Sequence, residues 1–448
     1  MGRQTGTANN GRDLEQDIGL HYAGIEEPSR LGAFGVEESA AMLRRFELVH
    51  RRLVYLQAGH LPHRSLWELK VALGRHLYED AEAVAALRER ILDLRQNSSV
   101  LGRNPDQCLT RALEELLHAR TDDELLVGLY EIVKPSLLAA ERDYVRTTQP
   151  IVDQPAVRLL RTVIADLKEQ VAWGQRAVRI LIDERGARPE VEEFAEKLRG
   201  YLAAAGGVSG KEPEAVPAAG RRWRSMETFV LPMQTVRDGR FGSTVLYRHG
   251  APDVAPGDEM RERLFGMMRV RQEEMNVAEL VASVIFLKQD QPWDFTLDLA
   301  RQEWDEMRHG LFGQAALETD GVDWMEYPQF TADYDLNATN LADAQHAWLY
   351  GIESLLMART GKRAEYEFCR DVAKHPLMTQ FQDFDWADEV KHVHVGREWT
   401  AESYDGDARK AEAAGEQAMD EFFRVTDQVT LETLGRLPNR DWRKKAAG

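Results

Sequence analysis

Residues 300–310, ARQEWDEMRHG, and residues 383–396, DFDWADEVKHVHVG, each carry a Glu-x-x-His pair, Glu306 with His309 and Glu389 with His392. Side chains three apart on a helix share one face, so each pair presents a carboxylate beside an imidazole. The motif alone is weak. Composition accounts for about one such spacing among 43 Glu and 12 His, and the sequence holds four, the others being Glu47 to His50 and Glu115 to His118. Neighbouring helices must decide which pairs matter.

Before the first pair runs the apolar helix MRVRQEEMNVAELVASVIFLKQ, residues 268–289, which offers Glu273, Glu274 and Glu279. The connection through Gln291, Pro292 and Trp293 is short, so the two helices are antiparallel neighbours. Positions equidistant from that turn lie at one height, which sets Glu279 opposite Glu306. Glu273 and Glu274, more than a turn further out, read as solvated or supporting groups. Before the second pair, NLADAQHAWLYGIESLLMARTG, residues 340–361, has one Glu in an apolar setting, Glu353. A buried carboxylate is costly unless it is paired or holds a metal. The same height argument about Lys374 and His375 places position 360, not 353, opposite Glu389, so this helix is expected to bend or end near Gly361.

The expected metal donors are therefore Glu279, Glu306, His309, Glu353, Glu389 and His392, a set that suits two ions in a four-helix bundle. Asp305 and Asp388, each preceding a motif Glu, are expected to accept from the second ring nitrogen of a ligating His, or else to be solvated helix charges. His346 is an outside candidate for a ligand or proton relay; a core or capping histidine is the simpler reading. Arg308 and Lys391 are expected to point outward.

The rest of the chain bounds the setting. Its 448 residues suffice for two or three domains. With 57 basic and 75 acidic residues the net charge is −18, which argues against nucleic acid or an anionic membrane as a general partner. Two cysteines, Cys108 and Cys369, are too few for a disulfide scaffold. No apolar run of about 18 residues occurs, and the polar start lacks a signal-peptide pattern. A soluble, cytoplasmic protein is expected.

The fold class is expected to be all-α. Residues 1–35 read as an irregular arm, and 36–202 as a helical bundle. Residues 203–258 read as a linker, in which METFVLPMQTV (226–236) and STVLYRH (243–249) could form one hairpin about DGRFG. Helical periodicity returns over 259–404, with a polar loop at 318–340, and residues 405–448 form a last helix and basic tail. The two helical regions resemble a degenerate repeat. LGRHLYEDAEAVAAL aligns with ARQEWDEMRHGLFGQAAL so that Glu79 falls on Glu306 and Glu82 on His309. PAVRLLRTVIADLKEQVAWG aligns with PLMTQFQDFDWADEVKHVHVG when Gly174 is set on Gly396, and then Leu167 and Gln170 stand where Glu389 and His392 stand. The first half keeps the frame and has lost donors.

The order Glu279, Glu306-x-x-His309, Glu353, Glu389-x-x-His392 resembles that of the ferritin-like di-iron carboxylate superfamily, which includes rubrerythrins, ferritins and bacterial hydroxylases. DEVKHVHVGREW, with Asp388, Glu389, His392, Val393, Gly396 and Trp399, is similar to a ferritin-like family of largely unassigned function, related to tRNA-modifying di-iron hydroxylases. The resemblance covers roughly residues 260–403, and more weakly 36–185. It implies two ferritin-like four-helix bundles in tandem, the N-terminal one degenerate, and two Fe ions or an Mn/Fe pair. It also implies O₂ or peroxide chemistry, with Glu306 and Glu389 bridging and Glu279 and Glu353 terminal. The expected function is a di-iron oxidoreductase that uses O₂ on a small organic metabolite, with an electron donor and a homodimer left open. The alternatives are an iron- or peroxide-handling protein and a metal-free helical interaction module.

Overall fold

The computed structural model describes residues 21–211, 221–244, 258–338, 345–356 and 359–434. The first 20 residues of the expected arm, much of the linker and the basic tail lie outside them. The described chain is overwhelmingly α-helical, as its 3.6-residue apolar periodicity requires. No described helix is long and apolar enough to cross a membrane.

The chain divides into two compact units. The first comprises Met1–His50, Ala83–Leu116 and Asp123–Trp223; the second comprises Arg51–Glu82, Leu117–Asp122 and Arg224–Gly448. Helices α1 (Val36–His60) and α2 (Trp67–Asp93) each contribute to both, so the hairpin Arg51–Glu82 belongs with the C-terminal segments. The first unit adds α3 (Gln107–Leu117), α4, α5 (Gln154–Val178) and α6 (Arg188–Ala204). Helix α4 joins Asp122–Val127 to Lys134–Thr147 through a π turn at Gly128–Val133.

In the second unit, α7 (Glu259–Glu273) starts at Asp258, whose carboxylate accepts from the Arg261 N–H at 3.1 Å. It breaks at Glu274 before α8 (Met275–Leu287), whose residues Met275 to Ile285 are all buried. Pro292 then opens α9 (Trp293–Thr319). Helix α10 (Gln345–Gly351) passes into a π turn at Ile352–Leu356, and α11 (Arg359–Glu367) into another at Phe368–Val372. Helix α12 (Pro376–Glu402) is capped by His375, whose Nδ1 accepts from the Met378 N–H, and α13 (Ala408–Leu434) closes the order.

Two expectations are corrected here. Within the described residues 226–236 are not a strand, and β1 (Ser243–Thr244) pairs in parallel with β2 (Gln329–Phe330) instead of closing a hairpin; residues 245–249 of the expected second strand lie outside the described residues. The stretch expected as a polar loop also packs inward, with Phe330, Ala332 and Tyr334 buried. The Asp333 N–H donates to Asn276 Oδ1 at 2.8 Å, anchoring that stretch to α8.

What positions the site is the close approach of α7 to α9. A Cβ at Gly313 would stand 2.2 Å from the Gln272 nitrogen and 2.5 Å from the Met268 oxygen, so only glycine lets the two backbones touch. Gly313→Ala should lower stability by about 2–3 kcal/mol, the cost of forcing apart a tight backbone contact. Gly266→Ala, with nothing within 4 Å of the added carbon on α7, should raise it by about 0.5–1 kcal/mol. Thermal unfolding of both variants checks this, and a Gly313→Ala protein as stable as the parent would contradict the packing.

Candidate metal centre

The break between α7 and α8, helix α9, the π turn after α10, and helix α12 bring two histidines and five carboxylates together. Glu274, His309, Asp385 and Glu389 each offer an atom within 4.8 Å of the others, and Glu306, Glu353 and His392 do the same. All seven residues are buried away from bulk solvent.

Both imidazoles are oriented alike. His309 Nδ1 stands 3.3 Å from Glu274 Oε2, 3.5 Å from Glu306 Oε2 and 3.6 Å from Asp385 Oδ1. His392 Nδ1 stands 3.3 Å from Glu306 Oε1, 3.6 Å from Glu389 Oε2 and 3.8 Å from Glu353 Oε1. Glu306 thus turns one oxygen to each ring. Glu389 belongs to the His309 group yet also faces His392. The opposite ring nitrogens cross over: His309 Nε2 lies 3.4 Å from Asp388 Oδ2 on α12, and His392 Nε2 lies 3.5 Å from Asp305 Oδ2 on α9. Asp305 and Asp388 are tied in turn by Arg308, whose guanidinium reaches both, and by Arg301. Arg308 therefore lies over the site, correcting the expectation that it points outward; Lys391 is exposed, as expected.

Neither Nδ1 has a hydrogen-bond partner, and neither do Glu274 Oε2, Glu353 Oε2 and Glu389 Oε2. Donors about 2.1 Å from a shared ion stand roughly 3–4 Å apart, which is the spacing found here. Five carboxylates surround the two rings, and two cations face them. Arg271 Nη1 donates to Asp385 Oδ1 (2.6 Å) and pairs with Glu274 Oε1 (2.9 Å). Lys362 Nζ donates to both oxygens of Asp385 (3.0 and 2.9 Å) and to Glu389 Oε1 (2.9 Å). Three negative charges are left for protons or metal ions to balance. Burial opposes charge on both imidazoles, but the carboxylates around them outweigh it and hold both well above the usual histidine range. Burial, then Glu389, pushes Glu353 well up, and burial raises Glu274. Buried Glu303 is also held well above the carboxylate range by burial, Asp305 and Glu306.

Five of the six expected donors, Glu306, His309, Glu353, Glu389 and His392, fall in these groups. Glu279 does not. Its Oε1 is engaged by Lys70 and by Arg237 Nη1 (2.6 Å), and its Oε2 accepts from Asn276 Nδ2 at 3.2 Å. Those two cations hold its carboxyl below the ordinary range against burial, while burial takes Lys70 down to about 8. The helix that was to supply Glu279 supplies Glu274 instead. The two helices run antiparallel at the expected level, with Gly310 beside Gln272 and Met275. Glu274, which the height rule set aside as more than a turn too far out, nevertheless reaches His309 Nδ1 at 3.3 Å. Height says nothing of azimuth, and five residues turn a side chain about 140° round a helix. The α12 height argument likewise pointed near position 360, and the residue there that meets Glu389 is Lys362, a cation.

Asp385, Arg271 and Lys362 escaped the sequence reading. Asp385 and Glu389 are spaced four apart on one helical face, the signal that could have found the first of them. His346 joins neither group; burial, then Lys288, lowers it to about 4. The other two Glu-x-x-His pairs do not assemble such a centre. Glu47 pairs with Arg88 (2.9 Å), His50 Nε2 lies 2.9 Å from Glu141 Oε1, Glu115 accepts from the Trp223 N–H, and His118 Nε2 lies 3.0 Å from the Glu227 carbonyl oxygen.

No protein-family model, curated protein or solved structure matches this chain.

Metal content after anaerobic loading and desalting tests the assignment. Glu306→Ala and His392→Ala should lose most bound metal, and Asp388→Asn should weaken binding about 10–100-fold by freeing the His309 ring. Glu274→Gln should lower affinity, while Glu279→Gln and His50→Ala should leave it unchanged. Equal losses from the Glu274 and Glu279 variants would refute the geometry.

Proposed function

We propose that the second unit is a two-metal oxidoreductase centre of the ferritin-like di-iron carboxylate kind, acting with O₂ on a small organic molecule. One observation carries this: two buried imidazoles on two helices each aim an unpartnered Nδ1 at shared carboxylates while the other nitrogen faces an aspartate of the opposite helix. That is how ligating histidines are held, with the second ring nitrogen fixed by a carboxylate. Carboxylate and imidazole donors without thiolate favour iron, and accept an Mn/Fe pair.

In this reading Glu306 and Glu389, which lie near both rings, would serve both ions, and Glu353 and Glu274, with Asp385 beside Glu274, would each help to hold one. Asp305 and Asp388 would orient the imidazoles, and each is itself paired with Arg301 and Arg308. Binding expels the protons that the two rings and the raised carboxyls hold, so affinity increases with pH. Iron held by these residues would supply the electrons for O₂ or peroxide chemistry, with an external reductant needed to complete a cycle.

The first unit is read as a degenerate copy of the same bundle. Gly174 and Gly396, paired in the sequence alignment, each press against a tyrosine, Tyr130 within a π turn and Tyr350 just before one: a Cβ at Gly174 would meet Tyr130 Cγ at 1.9 Å, and one at Gly396 would meet Tyr350 Cα at 3.0 Å. At the position aligned with His392, Gln170 Oε1 accepts from buried Lys134 Nζ at 2.5 Å.

Deep burial favours a second reading, iron or peroxide handling without an organic substrate, because no donor side chain facing the rings is more than 10 % exposed. Stopped-flow mixing of the di-ferrous protein with O₂ separates the two. The oxygenase reading expects a transient optical change whose decay a small organic substrate accelerates. Slow conversion to ferric mineral, indifferent to every substrate offered, would favour iron handling.

A further inference from the structure

The two donor groups differ in one respect that bears on how metal enters. Asp385 and Glu389 already hold a cation, since Lys362 Nζ sits within 3.0 Å of three of their oxygens. Arg271 reinforces it from the Asp385 and Glu274 side. Among the described residues no Lys or Arg pairs with Glu306 or Glu353; Glu353 Oε1 accepts only from the neutral amide of Gln302, at 3.1 Å. Two cations therefore already offset most of the three carboxylates of the His309 group, and none offsets Glu306 and Glu353.

Asp385 Oδ1 faces both ways: it accepts from Lys362 Nζ at 3.0 Å and stands 3.6 Å from His309 Nδ1, while Glu389 keeps only its Oε2 free of the ammonium. An ion held by that ring and Asp385 would sit beside the ammonium, and two cations so close in a low-dielectric interior repel strongly. Lys362 lies on α11, with a π turn on either side of that helix, at Ile352–Leu356 and Phe368–Val372. Its flexible four-carbon stem can withdraw the charge, which a planar guanidinium held in a fork does less readily.

We propose that the two positions load in order: the Glu306–Glu353–His392 position takes the first ion, and Lys362 keeps the Glu274–His309–Asp385–Glu389 position closed until a second ion displaces its ammonium. The inference rests on the two-metal reading. It makes a one-metal protein a stable state at limiting metal supply, and it gives the two positions different selectivity.

Anaerobic titration of the full chain with Co(II), followed by native mass spectrometry and calorimetry, tests it. The wild type should bind two ions in two steps at least tenfold apart, with the one-metal species dominant at one equivalent. Lys362→Met should tighten the second step at least tenfold and leave the first unchanged, and Lys362→Gln should do so in part. A statistical mixture of zero-, one- and two-metal species in the wild type would overturn the order of loading without need of any variant. So would a Lys362→Met protein whose second step is unchanged or weaker. Failure of both wild type and variants to bind more than one ion would instead overturn the two-metal reading, and this inference with it.

Discussion

Buried negative charge sets the terms for the second unit. A carboxylate withdrawn from water without a counter-charge costs several kcal/mol, and this interior holds many. Where the chain meets that cost with its own cations, it does so closely: Lys70 and Arg237 on Glu279, Arg271 and Lys362 on Asp385, Arg301 and Arg308 on Asp305 and Asp388. What remains around His309 and His392 is a surplus of three charges beside unpartnered ring nitrogens. Protons on the rings and carboxyls, or bound cations, would balance that surplus.

The geometry depends on backbones that approach closely at a few points. Gly313 lets α9 press on α7, and Gly396 lets α12 press on Tyr350. These contacts fix the heights at which Glu274 meets His309 and Glu353 meets His392. His309 Nε2 reaches Asp388 at 3.4 Å, and His392 Nε2 lies 3.5 Å from Asp305 without a hydrogen bond, so α9 and α12 face each other through the residues beside the rings. Replacing either aspartate would disturb both packing and ligand orientation, so the two roles are not separable in this site.

Much of this was legible in the sequence, and the failures have physical causes. Helical periodicity gives the fold class directly, and a three-residue spacing guarantees that Glu306 with His309 and Glu389 with His392 share a face. Glu353 was found because its neighbours are apolar. Glu279 is apolar-flanked too, and nothing local reveals that Lys70, more than 200 positions earlier, neutralises it. The reflection argument yields only heights, so it could not tell Glu274 from Glu279 by direction. It pointed close to Lys362 without the means to recognise a lysine as the group that belongs there. The β pairing of Ser243–Thr244 with Gln329–Phe330 joins distant segments, which local alternation cannot foresee.

Anomalous diffraction at the iron edge, from crystals of the protein loaded with Fe(II) without oxygen, tests the central claim most directly. The account predicts two peaks, one about 2.1 Å from His309 Nδ1 and one about 2.1 Å from His392 Nδ1, with Glu306 and Glu389 reaching both. A peak at Glu279, at His50 and Glu141, or none between the two rings would contradict it.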